Sequence, residues 1–137
     1  MVEPMNTMYA REDYLGADEY IDIVRRSGLN RPIEDRGRVE RMLAHANLIL
    51  TARQDGRLVG FARSLTDFCF CCYLSDLAVD KACQGQGIGK RLIEETRTAA
   101  GGPSTTTLLL SAPTAMSYYE GIKMPHADNC YLYRRTK

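Results

Sequence analysis

Between residues 15 and 29 the apolar positions Leu15, Tyr20, Ile21, Ile23 and Val24 fall at helical spacing, and Gly28 suits a C-terminal stop. Ahead of that helix, residues 8–12 predict a short first strand. Pro32 is placed to open a second helix at its first position. This helix turns Ile33, Val39, Met42, Leu43 and Ala46 inward and keeps its charges outside. Residues 47–54 and 57–65 read as strands joined by the two-residue hairpin signal Asp55-Gly56. Asp67 marks another turn, and residues 68–79 predict a long strand. A glycine-rich turn follows, then a helix on which Ile88, Leu92, Ile93, Thr96 and Ala99 or Ala100 share one face. Gly101-Gly102-Pro103 breaks it. Residues 105–111, β-branched and apolar, predict a buried strand. Residues 113–120 predict a short helix and residues 130–134 a last strand. The expected order is β-α-α-β-β-β-α-β-α-β.

Composition adds bounds rather than chemistry. Apolar residues make up 45% and charged residues 26%, an ordinary globular balance. A length of 137 residues fits one domain spanning 1–137. The net charge of +1 supplies no field for nucleic acid or an anionic membrane. No apolar run approaches the ~20 residues of a membrane span, and Arg11, Glu12 and Asp13 interrupt any secretion signal. A cytoplasmic protein is expected. Cys69, Cys71 and Cys72 crowd together while Cys83 and Cys130 stand alone. That odd, unpaired spacing suits neither a disulfide framework nor a zinc site and predicts reduced cysteines serving as small apolar fillers. His45 and His126 lack metal-ligand company, so no metal is expected.

The turn Gln84-Gly85-Gln86-Gly87-Ile88-Gly89 carries the chemistry. A strand feeding a glycine turn and then a helix leaves backbone N–H groups unpaired at the positive end of the helix dipole, which suits phosphate. Glycine there would let the backbone approach the anion. Spacing separates the phosphate-binding families. A nucleoside-triphosphatase loop needs glycine where Gln84 stands and Ser or Thr where Arg91 stands. A dinucleotide fingerprint needs its third glycine where Lys90 stands.

What fits is the Q/R-x-x-G-x-G/A signature, met by Gln84, Gly87 and Gly89 and preceded by the strand end Leu77-Ala78-Val79. In this the chain resembles the GCN5-related N-acetyltransferases. The resemblance implies an α+β fold of α/β/α layers. Its central sheet would be mixed but mostly antiparallel, splayed to admit the pantetheine arm of acetyl-coenzyme A. Residues Gln84, Gly85, Gln86, Gly87, Ile88, Gly89 and Lys90 would then bind the pyrophosphate. Leu77, Ala78 and Val79 would line the pantetheine, with main-chain hydrogen bonds from Leu77 and Val79. Lys81, Lys90 and Arg91 either meet nucleotide phosphates or are solvated surface. Cys83, beside those phosphates at a helix start, would be modestly reactive.

A second segment, Ala115-Met116-Ser117-Tyr118-Tyr119-Glu120, resembles the family's A-x-x-F-Y-E. It implies Tyr119 as proton donor to the departing thiolate. A phenol of pKa ~10 giving a proton to a thiolate near ~8.5 is uphill by about 2 kcal/mol, so hydrogen bonding to developing charge is the alternative role. The chain departs from the family where Leu-Gly-Phe becomes Ile122-Lys123-Met124, and where an asparagine becomes Ala112 with Ser111, a further coenzyme contact, adjacent.

An alkylammonium acceptor must lose a proton before it attacks. Strand alternation would put Tyr73, Ser75, Leu77 and Val79 on one face and Leu74, Asp76 and Ala78 on the other. The family's base positions are therefore Tyr73 and Ser75, expected to act through ordered water. Asp76 points away, toward a structural role. The basic residues Arg36, Arg38 and Arg41 of the second helix suit a substrate carboxylate or a solvated face alike. The expected protein is an N-acetyltransferase acting by direct attack of a small-molecule or peptide amine on acetyl-coenzyme A, and family habit suggests a homodimer. The alternative is a catalytically silent acyl-coenzyme A-binding regulatory module.

Overall fold

The computed structural model describes residues 6–137. Five strands form one sheet in the order β1-β2-β3-β4-β5. They are β1 (Met8–Arg11), β2 (Leu48–Gln54), β3 (Arg57–Thr66), β4 (Cys71–Val79) and β5 (Thr106–Leu108). The first four are antiparallel neighbours, and β5 lies parallel to β4. Helices α1 (Ala17–Ser27) and α2 (Arg36–His45) cover one face, while α3 (Ile88–Ala99) covers the other. A short α4 (Met116–Gly121) follows β5. This is the layered α+β fold expected.

Local signals explain most boundaries. Acidic Asp18 and Glu19 open α1 and basic Arg25 and Arg26 close it, matching the helix dipole. The Gly28 N–H then caps it on the Val24 carbonyl at 3.1 Å. The hairpin turn has φ of 50° at Asp55 and 79° at Gly56, the left-handed pair that matches strand twist. The second helix does not begin at Pro32. Pro32 sits in a turn closed by the Asp35 N–H at 3.1 Å, and the Asp35 carboxylate caps α2 by accepting from the Arg38 N–H at 3.0 Å. A side chain able to take an orphan N–H outweighs a residue that only presets φ.

The fourth strand starts at Cys71 rather than residue 68. Asp67 Oδ1 accepts the N–H groups of Cys69, Phe70 and Cys71 at 2.8–3.0 Å, which withdraws them from any ladder, and Phe68 is left-handed at φ 60°. Those amides, Cys69 first, push the Asp67 carboxyl down to about 2. Its nuclear magnetic resonance titration should therefore have a midpoint near pH 2. An ordinary aspartate midpoint would show that the turn is not held this way.

The tail also differs from expectation. The predicted buried strand over residues 105–111 shortens to the three residues of β5, with Leu108 and Leu110 46% exposed. No strand forms at residues 130–134, where Tyr131 and Tyr133 are exposed, so the order ends at α4. With nothing packed on them, these apolar residues have no partner to order them. Cys72 and Cys83 are buried fillers, but Cys69, Cys71 and Cys130 are exposed. Among the described residues no helix is long and apolar enough to cross a membrane.

One irregularity positions everything that follows. Arg63 pairs with Asp76 but Ser64 pairs with Leu74, so Ser75 is the extra residue of a β-bulge in β4. The bulge exchanges the strand's faces. Cys72 and Leu74 pack in the α3-side core, and so do Leu77 and Val79, whereas Ala78 joins the core under α1 and α2. The single alternation expected from sequence is therefore wrong. Ser75 and Asp76 share the α1/α2 face, and Leu77 and Val79 lie on the opposite face from them.

Candidate active site

The sheet opens at its β4–β5 seam. Pairing runs only through Cys71–Thr106, Cys72–Thr107 and Tyr73–Leu108; beyond Tyr73, β4 continues to Val79 without a neighbour on that edge. The Asp80 N–H bonds the Val59 carbonyl of β3 at 2.8 Å. By strand parity Ala78 also faces β3, while Leu77 and Val79 turn their main-chain groups to the open edge. The Val79 carbonyl accepts from Gln84 Nε2 at 3.1 Å, which leaves its N–H. Ala78, with a buried side chain and backbone turned toward β3, does not reach the slot.

At the end of that edge stands α3. Its N-cap is Gly87, left-handed at φ 81°, and no side chain caps it. Its first hydrogen bond runs from the Arg91 N–H to the Gly87 carbonyl at 3.1 Å. The N–H groups of Ile88, Gly89 and Lys90 thus precede the ladder at the positive end of the dipole. Gly85 is also left-handed, at φ 83°, and no heavy atom lies within 4 Å of a Cβ built at Gly85 or Gly87. Glycine is required there by backbone conformation, not by crowding within the protein. Gly89 differs, because a Cβ would run into the Tyr118 hydroxyl.

Other predicted residues divide. Gln86 is exposed and its Oε1 accepts from Gln54 Nε2 at 3.5 Å; Lys90 is exposed, and the Ile88 side chain is core. Lys81 packs against Gly28, and Arg91 pairs with Glu95 at 2.7 Å while lying 4.6 Å over the Tyr9 ring. Cys83 is buried, its Sγ 3.8 Å from Gln54 Oε1, a placement that protects the thiol expected to be reactive. Ser111 lies beyond β5 and donates to the Ala112 carbonyl at 2.8 Å.

The two tyrosines of α4 take different places. Their rings are 5.2 Å apart at 77°. Tyr118 reaches the start of α3, while Tyr119 packs against the α3-side core. Burial raises the Tyr119 phenol, the Tyr118 charge adds to the rise, and Arg31 opposes it. Tyr119 is thus a protonated donor at neutral pH. Tyr118 was not among the sequence candidates, since neighbours on a helix point about 100° apart and the motif marked only one.

At the bulge lies a cluster that sequence reasoning mostly missed. Asp76 is fully buried and accepts from Tyr20 Oη at 2.9 Å, Arg31 Nε at 2.6 Å and Arg63 Nε at 2.6 Å. Burial, the largest influence, would raise its carboxyl, but Arg63 and then Arg31 outweigh it and hold it below the usual range. Asp76 is therefore structural and a poor base. Arg63 also donates to Ser75 Oγ at 3.1 Å, and Arg31 donates to the Ser75 carbonyl at 2.6 Å. Tyr73 is 37% exposed beside them.

A family model described as an acetyltransferase (GNAT) domain matches residues 28–122. Nothing matches among curated protein sequences. Solved structures share the fold. A probable acetyltransferase from meticillin-resistant Staphylococcus aureus aligns at TM-score 0.75 and 19% identity, covering 95% of this chain and 99% of that one. The aminoglycoside N-acetyltransferase AAC(6')-Iy, solved with CoA, aligns at 0.72 and 13%, covering 100% and 99%. An aminoglycoside acetyltransferase from an uncultured soil metagenomic sample, solved with sisomicin, aligns at 0.64 and 19%, covering 96% and 95%. Since the family model spans more than half of its length, the chain belongs to the GCN5-related N-acetyltransferase (GNAT) family.

Proposed function

We propose that the chain is a single-domain enzyme that transfers an acetyl group from acetyl-coenzyme A to a primary amine by direct attack. One observation carries the reading: the unpaired edge of β4 runs straight into the uncapped N-terminus of α3. An extended, amide-rich arm fits the first, and a diphosphate fits the second. The thioester supplies the activated acyl group. Leu77 and Val79 hydrogen-bond the arm, and the amides of residues 88–90 hold the diphosphate.

The amine nitrogen attacks the thioester carbonyl, a tetrahedral centre forms, and the carbon–sulfur bond breaks. Tyr119 donates a hydrogen bond to the departing thiolate. Its raised pKa makes full proton transfer still less favourable than for an ordinary phenol, so stabilisation of charge is its role. The ammonium proton leaves through water held at Tyr73 and Ser75. Release of free thiol from acetyl-coenzyme A, measured across a panel of amines, tests the whole scheme.

Tyr119→Phe is expected to lower kcat by about 100-fold while leaving the KM for acetyl-coenzyme A nearly unchanged. Full turnover in that variant removes Tyr119 from the mechanism. A second reading, a silent acyl-coenzyme A-binding module, is favoured by one observation: Asp76, the carboxylate next to Ser75 in β4, is wholly engaged. Such a module binds the thioester and releases no thiol with any amine.

A further inference from the structure

The charges at the bulge do not balance. Asp76 supplies one carboxylate to two guanidinium groups, those of Arg31 and Arg63. Arg63 is almost wholly buried, and its terminal nitrogens donate to Ser75 Oγ and, at 3.5 Å, to the Met42 carbonyl. Arg31 is different, with 26% of its side chain exposed. Its Nε–H goes to Asp76, one terminal nitrogen donates to the Asn30 carbonyl and the other to the Ser75 carbonyl, each at 2.6 Å. A guanidinium has five N–H donors. One N–H on each terminal nitrogen of Arg31 is left without an acceptor among the described residues.

The place matters as much as the count. Ser75 stands two residues beyond Tyr73, the last residue of β4 paired to β5, so Arg31 sits where the seam opens. Its charge is felt at Tyr119. On the neighbouring helix Arg36 is engaged by Asp18 and Glu40, but Arg38 and Arg41 have no ion pair among the described residues. Of the acids in the loop that holds Arg31 and on α2, Asp35 caps the helix and Glu40 pairs with Arg36, which leaves exposed Glu34 against Arg31, Arg38 and Arg41. A polycationic acceptor meets more cations than acids on these two elements. A carboxylate finds two N–H groups on one planar cation carrying an unmatched charge.

We propose that Arg31 determines acceptor specificity by binding a carboxylate, so that the acceptor is an amine carrying a carboxylate close to its nitrogen, the amino-acid class. This rests on the acetyltransferase reading above. The anion holds the molecule at the bulge, and the amine is presented to the thioester in the seam. A second consequence is discrimination against polyamines and aminoglycosides, whose further ammonium groups meet Arg31 instead of an acid.

The test compares common L-amino acids with their α-carboxamides, with spermidine and with sisomicin. Free thiol released from acetyl-coenzyme A is one readout, and thermal stabilisation of the CoA-loaded protein by the same compounds is the other. The preferred amino acid should exceed its carboxamide by about tenfold or more in kcat/KM. Arg31→Lys should keep part of that ratio, and Arg31→Gln should abolish it without changing the KM for acetyl-coenzyme A. A purely structural loss in Arg31→Gln lowers both compounds alike and leaves the ratio, which overturns the proposal. Equal or better turnover of carboxamides or polycations also overturns it while the enzyme reading stands. Should no amine release thiol, the enzyme reading falls, and stabilisation then decides for Arg31. A carboxylate advantage present in the wild type and lost in Arg31→Gln supports it, and no advantage overturns it.

Discussion

Asp76→Ala is expected to destabilise the protein by about 3–5 kcal/mol, the range for removing one partner of a buried ion pair. At about 3–5 °C per kcal/mol for a chain of this size, the melting temperature falls by about 9–25 °C. The reason is what remains behind. Without the carboxylate, Arg63 is a nearly buried cation with no counter-charge, and Tyr20 Oη has lost its acceptor. Arg31 loses the contact that fixes the α1–α2 loop against β4. Asp76→Asn separates shape from charge, since it retains most of the volume and leaves both cations unmatched. Acid supplies the sign. The folded carboxyl lies below its ordinary value of 3.8, so its contribution is complete above that value. It is lost as pH falls through the lower folded pKa, and the wild type should converge on Asp76→Asn there. Calorimetric melting of the three proteins from pH 7 downward reads both effects. A wild type that stays ahead of Asp76→Asn at the acid end would show that the carboxylate's charge is not what holds the bulge.

The contrast between what residues disclosed and what they hid follows sequence distance. The loop from Gln84 to Gly89, the hairpin turn Asp55-Gly56 and the Gly28 cap each depend on conformations that a few adjacent residues dictate. They could be read directly. The choice of Asp35 over Pro32 is a competition between two valid start signals three residues apart, decided by a hydrogen bond from the Arg38 N–H. The Ser75 bulge is a property of register with β3, and the partners that fix it come from Tyr20, Arg31 and Arg63. No periodicity within one strand announces an extra residue. Hence the structural role of Asp76 is legible in the sequence, but the face that it shares with Ser75 and the exchange of faces between Ser75 and Leu77 are not. The strand expected at residues 130–134 shows the opposite failure. Its residues favour β-structure, but no neighbouring strand edge is seated against them, and propensity alone does not make a strand.

Gly87→Val is expected to weaken binding of coenzyme A by about 100-fold, equivalent to losing one or two charge-assisted backbone hydrogen bonds. The N-cap φ of 81° is a region that a β-branched residue hardly enters. Valine therefore either strains the loop, at a cost of about 1–3 kcal/mol in stability, or swings it. Swinging re-aims the amides of Ile88, Gly89 and Lys90, which are useful to a diphosphate only while they converge. Two controls isolate the cause. Gly87→Asn tolerates the left-handed conformation and should keep most of the affinity, because nothing lies within 4 Å of the added Cβ. Adenosine 3'-phosphate 5'-diphosphate, which keeps the diphosphate but lacks pantetheine, should lose affinity in Gly87→Val in parallel with coenzyme A. It should be indifferent to Tyr119→Phe, whose hydroxyl serves the sulfur end. Titration calorimetry with both ligands separates the outcomes. If Gly87→Val bound both like the wild type, the glycine turn would be only a joint between β4 and α3. The diphosphate would then have to lie elsewhere along the seam.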